Sequence, residues 1–237
     1  MGARTAGWMC VLALLSASAF ARKKPEASVL RWAPGAAGCT LDQSGADHLD
    51  RYVFTSDAIK ISLAVDPREL TLSQRRAGHV VGLLVSVRNQ GSAPVAVQPS
   101  KASLEFVKHS HWQFSSWDPD NLANHIQNQT DELMHQTDKD LQKRPEKVEK
   151  NEDRLREHQK LVSEMLEFLS TQGLKDTTLD ATMPEVSGWV FFPSRGKWVG
   201  DWKKQEEFVF RIPVGGLVVE FPFLLPPEGR PLLKDRN

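Results

Sequence analysis

The stretch between Asp118 and Gly173 contains no glycine and is rich in charged residues, whereas the sequence on both sides alternates like a β protein. A chain organised in this way is not all-β. Insertions persist where they leave the core of a domain undisturbed, and such surfaces commonly carry the contacts with partners. The sequence therefore predicts a mainly β domain with a helical insertion that faces a partner.

Apolar patterning predicts strands on both sides of the insertion, at 59–65, 81–87, 95–97, 104–107, 208–212 and 217–223. A further buried strand is predicted at 188–192, where β-branched and aromatic residues are concentrated. Short strands at this spacing are typical of a sandwich or barrel. Pro99 closes segment 95–97, which favours an edge strand. Gly215 and Gly216 separate the last two segments and predict a hairpin with a type I′ turn.

A longer pattern runs through these strands. The residues at 85–95 read V-x-V-x-N-x-G-x-x-P-V, and G-W-V-F-F at 188–192 and a Phe-rich hairpin follow much later. This pattern, confined to the β portion, resembles the immunoglobulin-like domains of secreted bacterial proteins of unknown function. The resemblance implies an Ig-like antiparallel β-sandwich in an extracytoplasmic setting and carries over no catalytic residue. The chain departs from it by lacking an inter-sheet cysteine pair and by adding the helices.

The insertion is predicted to form an antiparallel helical hairpin over 120–172. Pro145 divides it into helices at about 120–143 and 146–172, because proline suits the first turn of a helix better than its middle. Gly173 is a natural helix end. The apolar stripe widens between Leu161 and Leu169, so this end is predicted to pack on the β domain while the Pro145 end projects.

The outer part of the hairpin is charged without a dominant sign. Between residues 131 and 160 there are nine acidic and eight basic residues. Such a surface serves either to keep a thin hairpin soluble or to dock a charged partner. For the second alternative, Lys143, Arg144 and Lys147 beside Pro145 are the candidate partner contacts.

The N-terminus is predicted to be a secretory signal over 1–21. Arg4 precedes an apolar stretch, and 19–21 read small-x-small. The apolar stretch is shorter than the roughly 20 residues of a membrane span, so no transmembrane segment is expected in the mature chain. We interpret 22–50 as a flexible leader, 51–228 as one domain containing the hairpin, and 229–237 as a polar tail.

Cysteine content and charge argue against a disulfide-stabilised, a lipid-anchored or a nucleic-acid-binding protein. Cys10 lies in the signal, so Cys39 is left without an internal disulfide partner, and a lipid anchor on Cys39 is not expected because the large aliphatic residue of a lipoprotein box is missing. Removal of 1–21 takes Arg4 from 30 basic residues and nothing from 30 acidic ones. Near neutrality argues against nucleic-acid binding.

Two further groups of residues are candidate sites. His109-x-His111 would place two imidazoles on one strand face, but no third ligand can be assigned, so no metal or other cofactor is predicted. Trp198 and Trp202 lie in a connection rich in glycine and lysine, where they either pack at the rim of the domain or stack on a sugar. Trp189, by contrast, is predicted to lie in the core.

No nucleophile elbow, phosphate loop or dinucleotide fingerprint occurs in a credible setting. The sequence therefore predicts a non-enzymatic, secreted or periplasmic binding or scaffold protein that meets a cell-envelope protein through the hairpin. The alternative is a carbohydrate-binding module that uses Trp198 and Trp202. A metal handler or hydrolase using His109 and His111 is the third hypothesis.

Overall fold

The computed structural model describes residues 28–70, 80–108, 111–143, 148–193 and 205–226. Within these ranges the chain is mainly β, with two sheets and two long helices. The prediction of a mainly β chain with a helical insertion is confirmed.

One sheet has five strands, all antiparallel. They are β2 Cys39–Asp42, β3 Asp50–Thr55, β4 Ile59–Val65, β5 Val80–Asn89 and β10 Glu185–Pro193. The strand order is β10-β5-β4-β3-β2, so β10 and β2 are its two outermost strands. We call this sheet B.

The other sheet, sheet A, has seven strands. They are β1 Ser28–Arg31, β6 Val95–Val97, β7 Ser103–Phe106, β8 Trp112–Ser115, β9 Thr177–Leu179, β11 Glu206–Val214 and β12 Leu217–Leu225. Its main path is β1-β12-β11-β6-β9, and β7 joins β11 to β8. Only β1 and β12 pair in parallel. A short 3-10 helix, Pro99–Lys101, follows β6.

The two sheets share one buried hydrophobic cluster. Its members alternate along the strands, as period-2 patterning requires. In β4 the buried side chains include Ile61 and Leu63, and in β12 they include Val219, Phe221 and Phe223. The inner faces of sheets A and B therefore form the main core.

The predicted glycine turn is confirmed. Gly215 and Gly216 join β11 to β12 with φ values of 58° and 84°. Both central residues of a type I′ turn need positive φ, which glycine adopts without the steric cost that a β-carbon adds. The turn thus fixes the register that pairs Val214 with Leu217.

The structure of residues 28–50 differs from the flexible leader that was predicted for 22–50. This segment supplies β1 to sheet A and β2 to sheet B, and Trp32 is buried between them. Cys39, at the start of β2, is likewise buried. The prediction was wrong because glycine and proline turns interrupt the segment, so each strand is too short to show a period. The predicted signal at 1–21 and the tail at 229–237 lie outside the described residues.

The edge position predicted for β6 was also wrong. β6 pairs with β9 on one side and, through Val97 and Val214, with β11 on the other. Pro99 does not interrupt this pairing because it lies beyond the strand, in the first position of the 3-10 helix.

The insertion forms α1, Pro119–Lys143, and α2, Val148–Gln172. These bounds agree closely with the predicted helices at 120–143 and 146–172. Pro119 occupies the first helical position, where its missing N–H costs nothing. The Asp118 carboxylate Oδ1 accepts hydrogen bonds from the backbone N–H groups of Asp120 at 3.0 Å and Asn121 at 3.3 Å, which caps the helix.

Candidate functional site at the helical hairpin

Both ends of the hairpin are fixed to β10, the outermost strand of sheet B. The backbone N–H of Trp117 donates to the carbonyl of Phe191 at 2.9 Å, and that of Leu174 donates to the carbonyl of Trp189 at 2.9 Å. Chain segments before α1 and after α2 therefore cover the free edge of this strand. Covering an edge in this way prevents pairing with other chains.

A second hydrophobic cluster joins the helices to the outer face of sheet B. We call it the root. Its buried members are Val80, Leu122, Ile126, Val162, Met165, Leu169 and Phe191, and Trp117, Trp189, Leu166 and Phe168 pack against it. Burial of a large apolar side chain is worth about 1.5 to 3 kcal/mol. The predicted packing of the 161–169 end on the β domain is confirmed, although Leu161 itself is 48% exposed.

Gly173 is required where α2 ends against the start of α1. A β-carbon at this position would lie 2.5 Å from the carbonyl oxygen of Leu169 and 2.6 Å from Cγ of Pro119. Lys175 adds an ion pair with Asp120, with Nζ 2.8 Å from Oδ2. The two helix ends at the root thus lie in close contact.

The contact between the helices becomes polar above the root. Oγ1 of Thr130 donates to the carbonyl of Ile126 at 2.9 Å and lies 3.2 Å from Nε2 of His158. Since the hydroxyl proton is already donated, Thr130 accepts from His158, and the Nε2 atom carries the proton. This pair marks the outer limit of the apolar packing.

Beyond that pair the helices leave a cleft of about 280 Å³ between them. It is lined by Leu133, Thr137, Asn151, Arg154, Leu155 and His158. Leu133 is 40% exposed, and the amide of Gln159 donates to the sulfur of Met134 at 3.3 Å. The interhelical contact is therefore looser and more polar here than at the root. We call residues 131–157 the outer arm.

Of the candidate partner contacts on the hairpin, the structure describes Lys143. It is the last residue of α1 and is exposed on the outer arm. Arg144 and Lys147 lie outside the described residues, as do the candidate sugar-stacking residues Trp198 and Trp202. Trp189 is half-buried at the root rather than in the core between the sheets, because it points to the helical side of β10.

Of the two candidate metal-ligating histidines, the structure describes His111, which does not lie in a strand. His111 precedes β8, has a positive φ of 53°, and places Nδ1 2.6 Å from Oε1 of Glu105. His109 lies outside the described residues. In the described ranges, no three histidine, cysteine or acidic side chains come together in a group able to hold a metal ion.

That histidine instead belongs to a charge ladder on sheet A. Arg211 places Nη2 2.6 Å from Glu105 and Nε 2.7 Å from Glu220, and Arg31 lies 3.1 Å from the other oxygen of Glu220. Hydrogen bonds from His111 and Arg211 lower the pKa of Glu105, although its partial burial opposes this. The ladder connects β1, β12, β11 and β7. Each of its arginines and glutamates is paired with another member, so none is available to bind a ligand.

A polar hollow of about 400 Å³ lies beside the start of α1. It is lined by Ser116, Trp117, Asp118, Asn121, Asn124, His125 and Asn128. We call it the Trp117 hollow. It was missed from the sequence, although the spacing of its helical residues places them on one face of a helix. Asparagines at this helical spacing, shortly after a tryptophan, are the sequence signal that could have identified the hollow.

A larger, mainly apolar hollow of about 510 Å³ opens between the sheets at β2 and β12. Trp32, Tyr52 and Phe223 form its floor, with ring centroids 5.1 Å apart for Trp32 and Tyr52. Burial, together with the nearby charge of Asp50, raises the pKa of Tyr52 to about 12. These rings belong to the main core and extend it to the surface.

No family model, curated protein or solved structure matches this chain significantly. Within the described ranges neither α1 nor α2 has the length and apolar character of a membrane span. The root, the outer arm and the Trp117 hollow are therefore the features from which a function can be argued.

Proposed function

We propose that this chain is a non-enzymatic extracytoplasmic scaffold that binds a cell-envelope protein through the outer arm of its helical hairpin. The observation that carries the proposal is the division of the hairpin at Thr130 and His158. Below this pair the helices are buried against sheet B, and above it they are polar and exposed.

We further propose that the two sheets form an Ig-like β-sandwich. Three features support this: the shared core between the sheets, the antiparallel pairing of almost all strands, and the entry of the N-terminal segment into both sheets through β1 and β2. A rigid sandwich of this kind is well suited to hold a projecting arm at a fixed angle.

The length of the outer arm supports a role in contact rather than in stability. Helices of 25 residues reach about 37 Å at 1.5 Å per residue, whereas the apolar packing ends near Thr130 and His158. The ion pair described on the arm, between Arg156 and Asp153 at 3.5 Å, is exposed and adds little to stability. Selection for folding alone does not explain so long a polar extension.

The basic residues beside Pro145, which we call the tip of the outer arm, favour an acidic partner surface. Lys143, Arg144 and Lys147 lie within five positions of one another, with Glu146 as the single acidic residue among them. Lys143, in the last turn of α1, also meets the negative end of the helix dipole, which gives this residue an additional structural role. A complementary acidic patch would steer association and make it sensitive to salt.

Charge reversal at the tip tests this proposal. The tip variant, Lys143→Glu with Lys147→Glu, is compared with a sheet variant, Lys60→Glu with Lys101→Glu, which reverses one exposed charge on β4 and one in the 3-10 helix after β6. Each protein is used to capture partners from an envelope fraction at low and high salt. We expect the tip variant to lose a salt-sensitive partner that the sheet variant keeps. Equal capture by both variants would exclude the tip as the contact.

A carbohydrate-binding function is the second proposal. Trp198 and Trp202 were its candidates in the sequence, and the Trp117 hollow is the described feature that favours it. Titration with glycans separates the two functions. Glycan binding would change the NMR signals of the tryptophans at the sugar site, whereas a chain that binds only a protein partner through the outer arm would show no such change.

A further inference from the structure

We infer that the Trp117 hollow is a binding site for a neutral saccharide. The inference rests on the second proposal, carbohydrate binding, and is independent of the proposed scaffold function, because the hollow lies beside the start of α1 rather than on the outer arm. Its volume of about 400 Å³ falls within the range of roughly 300 to 1,000 Å³ found for small-molecule sites.

The first observation is an aromatic ring held at the wall of the hollow. Trp117 is half-buried, with one part of its ring packed on the root. The ring of His125 packs against it in a T-shaped contact, with ring centroids 4.6 Å apart and an interplanar angle of 86°. The backbone hydrogen bond to Phe191 fixes the position of the residue. A tryptophan held this way offers a large contact surface at a low entropic cost, which suits the apolar face of a pyranose ring.

The second observation is a row of amide side chains next to that ring. Asn121, Asn124 and Asn128 follow one another at intervals of three and four, so they lie on one face of α1. Each carboxamide offers two donors and one acceptor oxygen. Paired sugar hydroxyls, which both donate and accept, match such groups.

The third observation is that these polar side chains make no hydrogen bond to another described residue. In the described part of the chain, no hydrogen bond is made by the indole N–H of Trp117, by the imidazole of His125 or by the carboxamides of the three asparagines. A tryptophan N–H that is partly buried usually has an acceptor. Several open donors and acceptors therefore converge on one hollow.

The charge of the hollow selects the class of saccharide. Asp118 is the one acidic side chain among the described residues that line it, and one oxygen of that carboxylate caps the start of α1. Neighbouring Lys175 is already paired with Asp120. Among the described residues, no lysine or arginine lines the hollow to recognise an acidic sugar, and a neutral hexose or N-acetylhexosamine fits best.

The test follows the indole N–H signals of the ¹⁵N-labelled full chain by NMR during titration with chitotetraose and with cellotetraose. Trp117→Phe assigns the relevant signal and keeps an aromatic ring beside His125. We expect a saturable shift of the Trp117 signal with at least one of the two glycans. The absence of such a shift with both would overturn the inference, as would shifts confined to Trp198 and Trp202.

A matched pair of variants tests the amide row. Asn121→Ala with Asn124→Ala removes two exposed carboxamides from the hollow, and Gln127→Ala with Gln129→Ala removes two exposed carboxamides elsewhere on α1. Loss of two hydrogen bonds should weaken glycan binding roughly tenfold or more in the first variant only. Equal affinity in both variants would contradict the inference. Partner capture by the outer arm is measured separately and does not depend on this result.

Discussion

Trp117 donates its backbone N–H to the carbonyl of Phe191 across a distance of 2.9 Å, and this bond attaches the start of the hairpin to the outermost strand of sheet B. Phe191 is also fully buried beneath the helices. The same residue thus anchors the backbone and fills the root. Consequently the hairpin is not a removable loop, and deletion of 121–172 would expose the apolar face of sheet B.

The root should contribute to stability far more than the rest of α2. Leu169 is 1% exposed and Leu161 is 48% exposed on the same helix. Leu169→Ala should lower the free energy of unfolding by about 2 to 5 kcal/mol, because it leaves a cavity. Leu161→Ala should change it by about 0.5 kcal/mol or less. Urea denaturation measures both, and similar losses would show that the helix does not pack as described.

Gly188 allows the end of α2 to approach β10 closely. A β-carbon there would lie 2.9 Å from the carbonyl oxygen of Gln172, which is backbone and cannot rotate away. Gly188→Ala should therefore cost about 1 to 3 kcal/mol in the free energy of unfolding. In the control Gly91→Ala, the nearest atom is 3.7 Å away, so thermal unfolding should be almost unchanged. A tolerated alanine at 188 would refute the close approach.

Tyr52 is the single tyrosine of the chain, so absorbance near 295 nm reports its ionisation alone. The pKa of Tyr52 is raised from 10.0 to about 12 in the folded protein. Since the folded value is above the unfolded one, the associated stability of about 2 to 3 kcal/mol is present below pH 10 and is lost as pH rises through 12. Titration of the folded and urea-unfolded chain measures both values. A folded midpoint near 10 would mean that the ring is not buried.

Glu105 should make the protein sensitive to acid. Its pKa is lowered mainly by the hydrogen bond from His111 and also by Arg211. A lowered folded pKa gives stability that is present above the unfolded value of about 4.3 and is lost as pH falls through the folded value. Glu105→Gln should therefore lose less stability than the wild type between pH 5 and pH 3, measured by urea denaturation.

The control for that experiment is Glu207→Gln. Glu207 lies on the same sheet and makes no ion pair among the described residues. Its removal should leave the acid dependence of stability nearly as in the wild type. If both variants behaved alike, the ladder through Glu105 and Arg211 would not be the source of the effect.

Long periodic segments were predictable from the sequence. The alternation in β4 and β5, the glycine pair at 215–216 and the division of the hairpin by Pro145 each reflect a local rule of backbone geometry or burial. The same local rules identified the end of the hairpin that packs on the sheet, because its apolar stripe widens there.

The short strands could not be predicted in this way. β1 has four residues and β9 has three, so neither is long enough to show a period, and their positions follow from pairing with β12 and β6. The Trp117 hollow was missed for a related reason. Asparagine is common on exposed helices. The asparagines of α1 indicate a site only when they lie beside Trp117, and this placement depends on the attachment of the helix start to β10.

The most direct test of the arm as the functional surface is to shorten it without disturbing the root. Residues 135–155 are replaced by a four-residue glycine and serine turn, which keeps Thr130, His158 and the buried root residues. Calorimetry of the shortened chain should show a cooperative transition close to that of the full chain. Affinity capture from the envelope fraction should then recover the partner with the full chain and lose it with the folded, shortened chain. Recovery of the same partner by the shortened chain would contradict the proposal that the outer arm binds it.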